Sequence, residues 1–517
     1  MKRILVFIIS ISLILGVLAG CSDNVPVQTN PGQNINEKVN SENNYSGVYE
    51  GKATGYHGEI NVEVALNEEG KITSIKVDEN HNETKDIAAV PIEKIPEAII
   101  SSQSLSVDSI SGATMTGNGI IAAVANALTS AGLDPSVYGF TDNTGDMDAV
   151  YELDMNSMPI KEAITETITI TDVKGREVKL DLPISTYSIS TMDVIDFIIP
   201  ILGEDAFNKL VGSGQDGGGG LQGYAKLYTP IVGEYMKHVG QISDHNAPFD
   251  LEMILAMDPD VLIVNSAMGA HRYALEIESQ LTEAGIPIVL IDVPGQAFTT
   301  SVQDTLRLLG QVFQKEERAN EVASFIDTQY KLLASKNPSD RTNKPTVYYE
   351  KSGYSEVFGS TSSSISGWGT VIATAGGDNI ADPILLETAG SKGSGNTLDP
   401  EYIIQADPDF IILSGSGAGW MDNFEGSTPS IPNFDIVNRT GWNNLKAVKN
   451  QNVYELAHAT SRSIFGFHAT LKLASVFYPD EFKDVDTDKI IDEFFDRFML
   501  VDSNVTGWFH RISEVSN

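Results

Sequence analysis

The sequence predicts an α/β fold built as two similar lobes, and three observations carry that prediction. The first is an internal repeat. Asp250-Leu-Glu-Met-Ile-Leu-Ala-Met-Asp-Pro-Asp-Val-Leu-Ile-Val264 is echoed by Leu398-Asp-Pro-Glu-Tyr-Ile-Ile-Gln-Ala-Asp-Pro-Asp-Phe-Ile-Ile-Leu413. Each copy reads as a short amphipathic helix, stopped by Asp-Pro, that feeds a strand. Second, both strands are apolar throughout, which marks strands buried on both faces, as in parallel sheets. Third, Ser301 to Ser335 carries apolar residues at helical spacing: Val302, Leu306, Leu309, Phe313, then Val322, Phe325, Ile326 and Tyr330. That run predicts a helical connector between the lobes, opened by a Ser301-x-x-Asp304 capping box. Lys315-Glu316-Glu317-Arg318 is where it can divide into two helices.

At the amino terminus, Met1-Lys2-Arg3 precedes an uncharged run from Ile4 to Val17 and then Leu18-Ala19-Gly20-Cys21. The run is shorter than the ~20 residues a bilayer span needs and reads as a secretory signal. Leu-Ala-Gly-Cys resembles a bacterial lipobox, which makes Cys21, the sole cysteine, the lipid-bearing residue. Two acyl chains suffice for stable anchoring where one would not. The expected location is the extracytoplasmic face of the cell membrane. Loss of Lys2 and Arg3 takes the formal charge from −36 to about −38. Such acidity argues against nucleic acid and against docking on anionic lipid. Residues 22–44, rich in Asn, Gln, Ser and Pro, read as a disordered tether.

The next stretch carries the most specific motif. Asp108-Ser-Ile-Ser111-Gly112-Ala113-Thr114-Met-Thr116 precedes a helical run from Gly119 to Leu128. A small-residue turn before a helix offers unpaired N–H groups to an anion such as phosphate. Ahead of it stand, in order, Ser46-Gly-Val-Tyr-Glu-Gly, Gly70-Lys-Ile-Thr-Ser-Ile-Lys-Val77 and His81-Asn-Glu83-Thr84. This order, from Tyr45 to Pro135, resembles the small α+β FMN-binding domain of extracytoplasmic electron-transfer proteins, such as subunits of sodium-pumping and Rnf-type redox complexes. The resemblance implies FMN joined to the Thr114 hydroxyl as a phosphoester by a separate flavin transferase. It also implies Ser111, Gly112 and Ala113 as the turn, Asp108 as the recognition acid, and Glu83 and Thr84 near the flavin. Where that family usually has Pro-Gly, this chain has Lys85-Asp86.

Residues 136–163 crowd Asp, Asn, Gly, Met and Ser and read as a linker. Ile168 to Val178 alternates apolar and polar residues around Asp-x-x-Gly, a hairpin. Lobe 1 is expected over 164–300, the connector over 301–340, and lobe 2 with C-terminal helices over 341–517. The two-lobed plan, with the phrase Gly441-Trp-Asn-Asn-Leu-Lys-Ala-Val-Lys-Asn-Gln-Asn-Val-Tyr-Glu-Leu456, resembles the substrate-binding proteins of ABC importers for iron–siderophore complexes, haem and cobalamin. That implies an ABC permease as partner and a metal chelate as solute.

In open α/β sheets ligands gather beyond the carboxyl ends of strands. Those positions hold His271 and Arg272, Tyr354, Trp368, Trp420, Arg462 and His468. Arg272 and Arg462 could clamp an anionic chelate bidentately. Tyr354, Trp368 and Trp420 would cover a flat ligand, and His271 and His468 are candidate axial ligands. Scattered histidines disfavour a bare-metal site. Gly415-Ser-Gly-Ala-Gly-Trp420 has Trp where a dinucleotide loop needs glycine, and Gly217–Gly220 lacks the Gly-Lys-Ser/Thr of a phosphate loop. No hydrolase motif is present. The reading is a lipid-anchored, electron-carrying binding protein supplied by an extracytoplasmic electron donor, with ferric-chelate reduction as its candidate activity. An electron relay whose lobes only dock, and a plain importer receptor with an incidental flavin, are the alternatives.

Overall fold

The computed structural model describes residues 44–54, 59–78, 85–105, 107, 114–140, 153–214, 220–243, 247–267, 273–295, 297–351, 353, 355–356, 358–386, 394–415, 419–421, 423–424 and 432–515. Among them no helix is long and apolar enough to cross a membrane. Residues 1–43, which hold the expected signal, Cys21 and nearly all of the expected tether, lie outside the described residues.

The first unit is an antiparallel meander of β1 (Gly47–Thr54), β2 (Glu59–Leu66) and β3 (Ile72–Val77) covered by α1 (Lys85–Ser102) and α2 (Thr114–Ser130). In β2, Ile60, Val62, Val64 and Leu66 are buried while Glu59, Asn61 and Glu63 face outward, as the two-residue repeat of a half-buried strand requires. Helix α2 presses hard on β1. A Cβ added at Gly51 would sit 2.0 Å from the Ala123 carbonyl oxygen, so only glycine permits that approach. The packed unit runs to Phe140, past the Pro135 expected from sequence, because buried Tyr138 donates its hydroxyl to the Gly70 carbonyl at 2.6 Å.

After the expected hairpin, β4 (Glu166–Thr171) with β5 (Glu177–Leu182), come two α/β lobes. Lobe 1 contains β6 (Tyr187–Ile189), α3 (Ile195–Leu202), β7 (Leu210–Gly214), α4 (Gly220–Val232), β8 (Gly240–Ser243), α5 (Leu251–Met257), β9 (Leu262–Asn265) and β10 (Ile288–Ile291). Its sheet is parallel throughout, in the order β10-β9-β6-β7-β8. The connector is α6 (Phe298–Val312) and α7 (Glu316–Lys336). Lobe 2 contains β11 (Thr346–Glu350), α8 (Gly367–Thr374), β12 (Asp378–Asn379), α9 (Pro400–Ala406), β13 (Phe410–Ser414), β14 (Val453–Leu456), α10 (Gly466–Phe477), α11 (Thr487–Phe498) and β15 (Phe509–Arg511). Its order is β12-β11-β13-β14-β15, with only β15 antiparallel.

The sequence repeat corresponds to one hydrogen-bonding device used twice. Asp250 caps α5 by accepting from the Met253 N–H, and Asp399 caps α9 by accepting from Glu401 and Tyr402. Asp258 and Asp407 end those helices in the left-handed region, at φ 44° and 45°. The last acid of each Asp-Pro-Asp fastens the next strand of its sheet. Asp260 accepts from the Ser185 and Thr186 backbones, and Asp409 from the Thr346 backbone and hydroxyl.

The connector departs from a single bridging rod. Helix α6 ends at Val312, Gln314 turns at φ 53°, and α7 folds back so closely that a Cβ on Gly310 would meet Ala319 Cβ at 2.6 Å. The capping box also fails. Helix α6 begins three residues before Ser301, whose hydroxyl bonds the Phe298 carbonyl inside the first turn. One hydrophobic cluster runs unbroken from Ile170 through α6 and α7 to Trp508, so the two lobes share a core.

Candidate functional site

The carboxyl ends of both sheets face a cleft with a cavity of about 830 Å³. Lobe 1 contributes Ala267 after β9, Pro294 and Gly295 after β10, and Phe298 at the start of α6. Lobe 2 contributes Tyr349 and Lys351 from the end of β11, a hydroxyl-rich loop, and the turn after β14. The loop holds Ser360, Thr361, Ser362, Ser364 and Ser366. It is seated by α8, where a Cβ on Gly369 would collide with the Ser363 carbonyl oxygen at 2.0 Å. Hydroxyls with two cations make a wall suited to an oxygen-rich anion.

Arg462, expected at the cleft, is there. Its Nη2 lies 3.3 Å from Asp193 Oδ2 of lobe 1, so the pair spans the two lobes with both side chains about three-quarters covered. Lys351 projects into the same space and forms no ion pair among the described residues. His458 lines the same cavity. Its Nδ1 is 2.8 Å from Ser414 Oγ, which is 2.8 Å from the Tyr349 hydroxyl. Burial, then Lys351, then Arg462 push the imidazole down to about 3, so it is neutral at ordinary pH. Behind Asp193, the Asp196 carboxyl accepts from Tyr224 at 2.8 Å, and burial raises its proton affinity well above the usual range.

Three expectations change place. Trp368 lines the cleft, but as floor and not lid: it is 1 % exposed, stacked on Tyr349, with its indole N–H donating to the His458 carbonyl. Trp420 does not line the cleft; it is wedged between Tyr224 of lobe 1 and Phe465 of lobe 2. His468 is not placed to be an axial ligand. It lies on the buried face of α10 against Trp508, and burial pushes it down to about 3. Arg272, His271 and Tyr354 lie outside the described residues.

Lobe 2 also holds a clamp that sequence reasoning missed. Arg439 grips Glu350 with both guanidinium arms at 2.7 and 2.8 Å and lies over the rings of Phe358 and Trp442. Glu350 additionally accepts from Tyr348 and from the Gly359 N–H. The clamp fixes the residue next to Lys351 and the entry to the hydroxyl loop.

In the first unit, Asp108, Ser111, Gly112, Ala113, Glu83 and Thr84 lie outside the described residues. Thr114 is the first residue of α2. The first turn carries no acidic side chain of its own, although the buried Glu252 carboxylate of lobe 1 reaches Thr116 within it. The Thr116 hydroxyl is already committed to Glu252.

Residues 226–460 match the periplasmic binding protein family, and residues 55–129 match the FMN-binding domain family. Over 295 residues the chain is 22% identical to the molybdate-binding protein MolA of Haemophilus influenzae, covering 53% of this chain and 76% of that protein. Over 100 residues it is 37% identical to NADH:acrylate oxidoreductase of Vibrio harveyi, covering 19% of this chain and only 9% of that protein. Among solved structures, the TroA-like periplasmic binding protein FepB of Veillonella parvula superposes with a TM-score of 0.56 at 29% identity, covering 66% of this chain and 99% of the other. A periplasmic solute binding protein from the same organism, at 22% identity and a TM-score of 0.51, shares the fold.

Proposed function

We propose that this chain, a solute-binding protein of the ABC-importer kind joined to an FMN-binding domain, is a lipid-anchored receptor that carries covalent FMN at Thr114. Its ligand is an anionic, oxygen-rich small molecule, foremost a metal chelate such as a siderophore complex, haem or a corrinoid. The observation that carries this reading is the interlobe cleft, where Arg462, Lys351 and a row of hydroxyls converge on one cavity. Cys21 supplies the anchor on the extracytoplasmic face, a flavin transferase loads the cofactor, an extracytoplasmic donor recharges it, and an ABC permease takes the solute. FMN supplies electron transfer when bound. Ferrous iron is held less tightly by hard oxygen donors than ferric iron, so reduction favours release. A bare oxyanion is the second reading, favoured by the same cationic, hydroxyl-lined wall and by the likeness to a molybdate-binding protein.

This chain's own residues bind and orient. Lys351 and Arg462 neutralise the ligand's charge, the Ser360–Ser366 loop donates and accepts hydrogen bonds, and neutral His458 is held in one orientation by Ser414. A thermal-shift panel of ferric siderophores, haemin, a corrinoid and molybdate tests the reading. A ligand at a hundred times its Kd stabilises by about 2.7 kcal/mol, and no shift with any of them overturns the receptor assignment. Intact mass of protein from a flavinylating host tests the cofactor. Thr114→Ala should be colourless and bind the same ligand unchanged.

A further inference from the structure

We propose that Thr116 and Glu252 form the electron-transfer interface of the chain, docking the flavin-bearing helix on the cleft-side edge of lobe 1. The proposal rests on the assignment of FMN to Thr114.

The junction is a hydrogen bond of 3.4 Å from Thr116 Oγ1 to Glu252 Oε2, between residues 136 apart in sequence and in different folding units. Thr116 is fully buried and Glu252 only 2 % exposed. Burying a carboxylate is costly unless something receives it, and here it meets the amino end of α2, where a helix favours negative charge. Thr116 lies two residues beyond Thr114, a rise of about 3 Å along the helix.

The topology fixes where Glu252 stands. Helix α5 follows β8, and the Asp250 N–H bonds the Ile242 carbonyl at 2.8 Å, so α5 starts at the carboxyl end of β8. Because every strand of this sheet is parallel, that end lies on the edge that supplies Ala267, Pro294 and Gly295 to the cleft. Strand β8 is two places from β6, whose following turn bears Asp193, the partner of Arg462. Two strand spacings are about 10 Å. Beyond the first unit the chain is next described at the opposite, amino end of β8, with the Asp154 N–H on the Lys237 carbonyl at 2.7 Å and Leu153 and Met158 packed on the lobe 1 cluster.

A flavin at Thr114 would thereby stand toward the side where the ligand binds, a placement that serves a ligand able to accept electrons, such as a ferric or cobaltic chelate. Fully reduced FMN holds two electrons. One passes to each of two ferric ligands bound in turn, giving two ferrous ions and oxidised FMN, and the two flavin hydrogens leave as protons. An extracytoplasmic electron donor restores the flavin.

The test uses the full-length chain with Cys21→Ser, so that no native thiol remains. Thr116→Cys, covered in the docked state, should react with a maleimide at least tenfold more slowly than the same cysteine in a Glu252→Lys background, read by intact mass and peptide mapping, with or without Thr114→Ala. Equal reactivity in the two backgrounds overturns the docking whatever the flavin or ligand does. In the second arm, Glu252→Lys should raise hydrogen exchange at residues 114–120 and slow reoxidation of photoreduced flavin by ferric citrate at least tenfold. Glu252→Gln, which keeps a hydrogen-bond acceptor, should restore both. Flavin loading and ligand affinity should not change. Protection of the cysteine with an unchanged reoxidation rate overturns the electron route while leaving the receptor assignment intact.

Discussion

Replacing His468 by leucine should remove part of the protein's acid sensitivity and leave ligand binding alone. The imidazole is 4 % exposed, packed against Trp508, with Nδ1 hydrogen-bonding nothing. Burial first, then the charge on Lys472, opposed by Asp488, lowers its proton affinity from 6.5 to about 3. The sign follows from proton uptake. As pH falls below about 6.5 the unfolded chain protonates this site while the folded chain does not, so stability is lost until the folded site also titrates near 3. The full loss is about 5 kcal/mol, of which about 3 kcal/mol falls between pH 7 and pH 4. Leucine leaves no partner stranded and nearly conserves volume, so its cost at pH 7 should stay within about 1.5 kcal/mol. Urea unfolding of wild type and His468→Leu at both pH values gives a difference of differences in which the carboxylates cancel. A variant whose pH dependence matches wild type within about 1 kcal/mol would refute a buried, neutral His468. A tenfold change in ligand affinity would return His468 to the site.

Arg462→Ala or Lys351→Ala should weaken an anionic ligand about 10- to 100-fold by calorimetry, the value of a charge-assisted hydrogen bond. The partly exposed pair with Asp193 adds under about 1 kcal/mol to stability, so melting should barely move. Arg439→Ala strands a buried Glu350 and should cost about 3–5 kcal/mol. At about 2–4 °C per kcal/mol for a domain of this size, the melting temperature falls by about 6–20 °C; Arg439→Lys should recover only part, since one ammonium cannot reproduce the two-armed grip.

What was legible in the sequence was whatever repeats locally. The two Asp-Pro-Asp phrases marked both short helices, their stops and the strands behind them, because that pattern is local; the Asp250 and Asp399 caps and the left-handed turns at Asp258 and Asp407 emerged only in the structure. The division of the connector was legible at Lys315–Arg318, but its fold-back was not, since that depends on Gly310 meeting Ala319. Arg462 could be chosen for following a strand, but Asp193, 269 residues away, could not be picked from so many acids. The Glu350–Arg439 clamp was hidden for the same reason, across 89 residues. Trp420 and His468 show the limit of the rule that ligands gather after strands. It identifies the correct end of the sheet, but both side chains turn into the hydrophobic interior instead.

The shared core bears on why an electron carrier would be fused to such a receptor. Lobes joined only by a loop can swing apart, and a donor fixed to one would then lie at varying distances from a ligand held by both. Here α6 and α7 weave the lobes into one hydrophobic cluster, and Trp420 is packed between Tyr224 and Phe465 from opposite sides. Separating the lobes would expose those rings, at about 25 cal/mol for each Å² of apolar surface uncovered. A shared core therefore opposes opening of the cleft, which steadies Asp193 and Arg462 relative to the lobe 1 edge where Glu252 lies. A donor docked there meets the ligand as an intramolecular partner, at an effective concentration in the millimolar range typical of short tethers. Stiffness that would limit a receptor relying on closure becomes, for a receptor that must also pass electrons, the property that holds the gap constant.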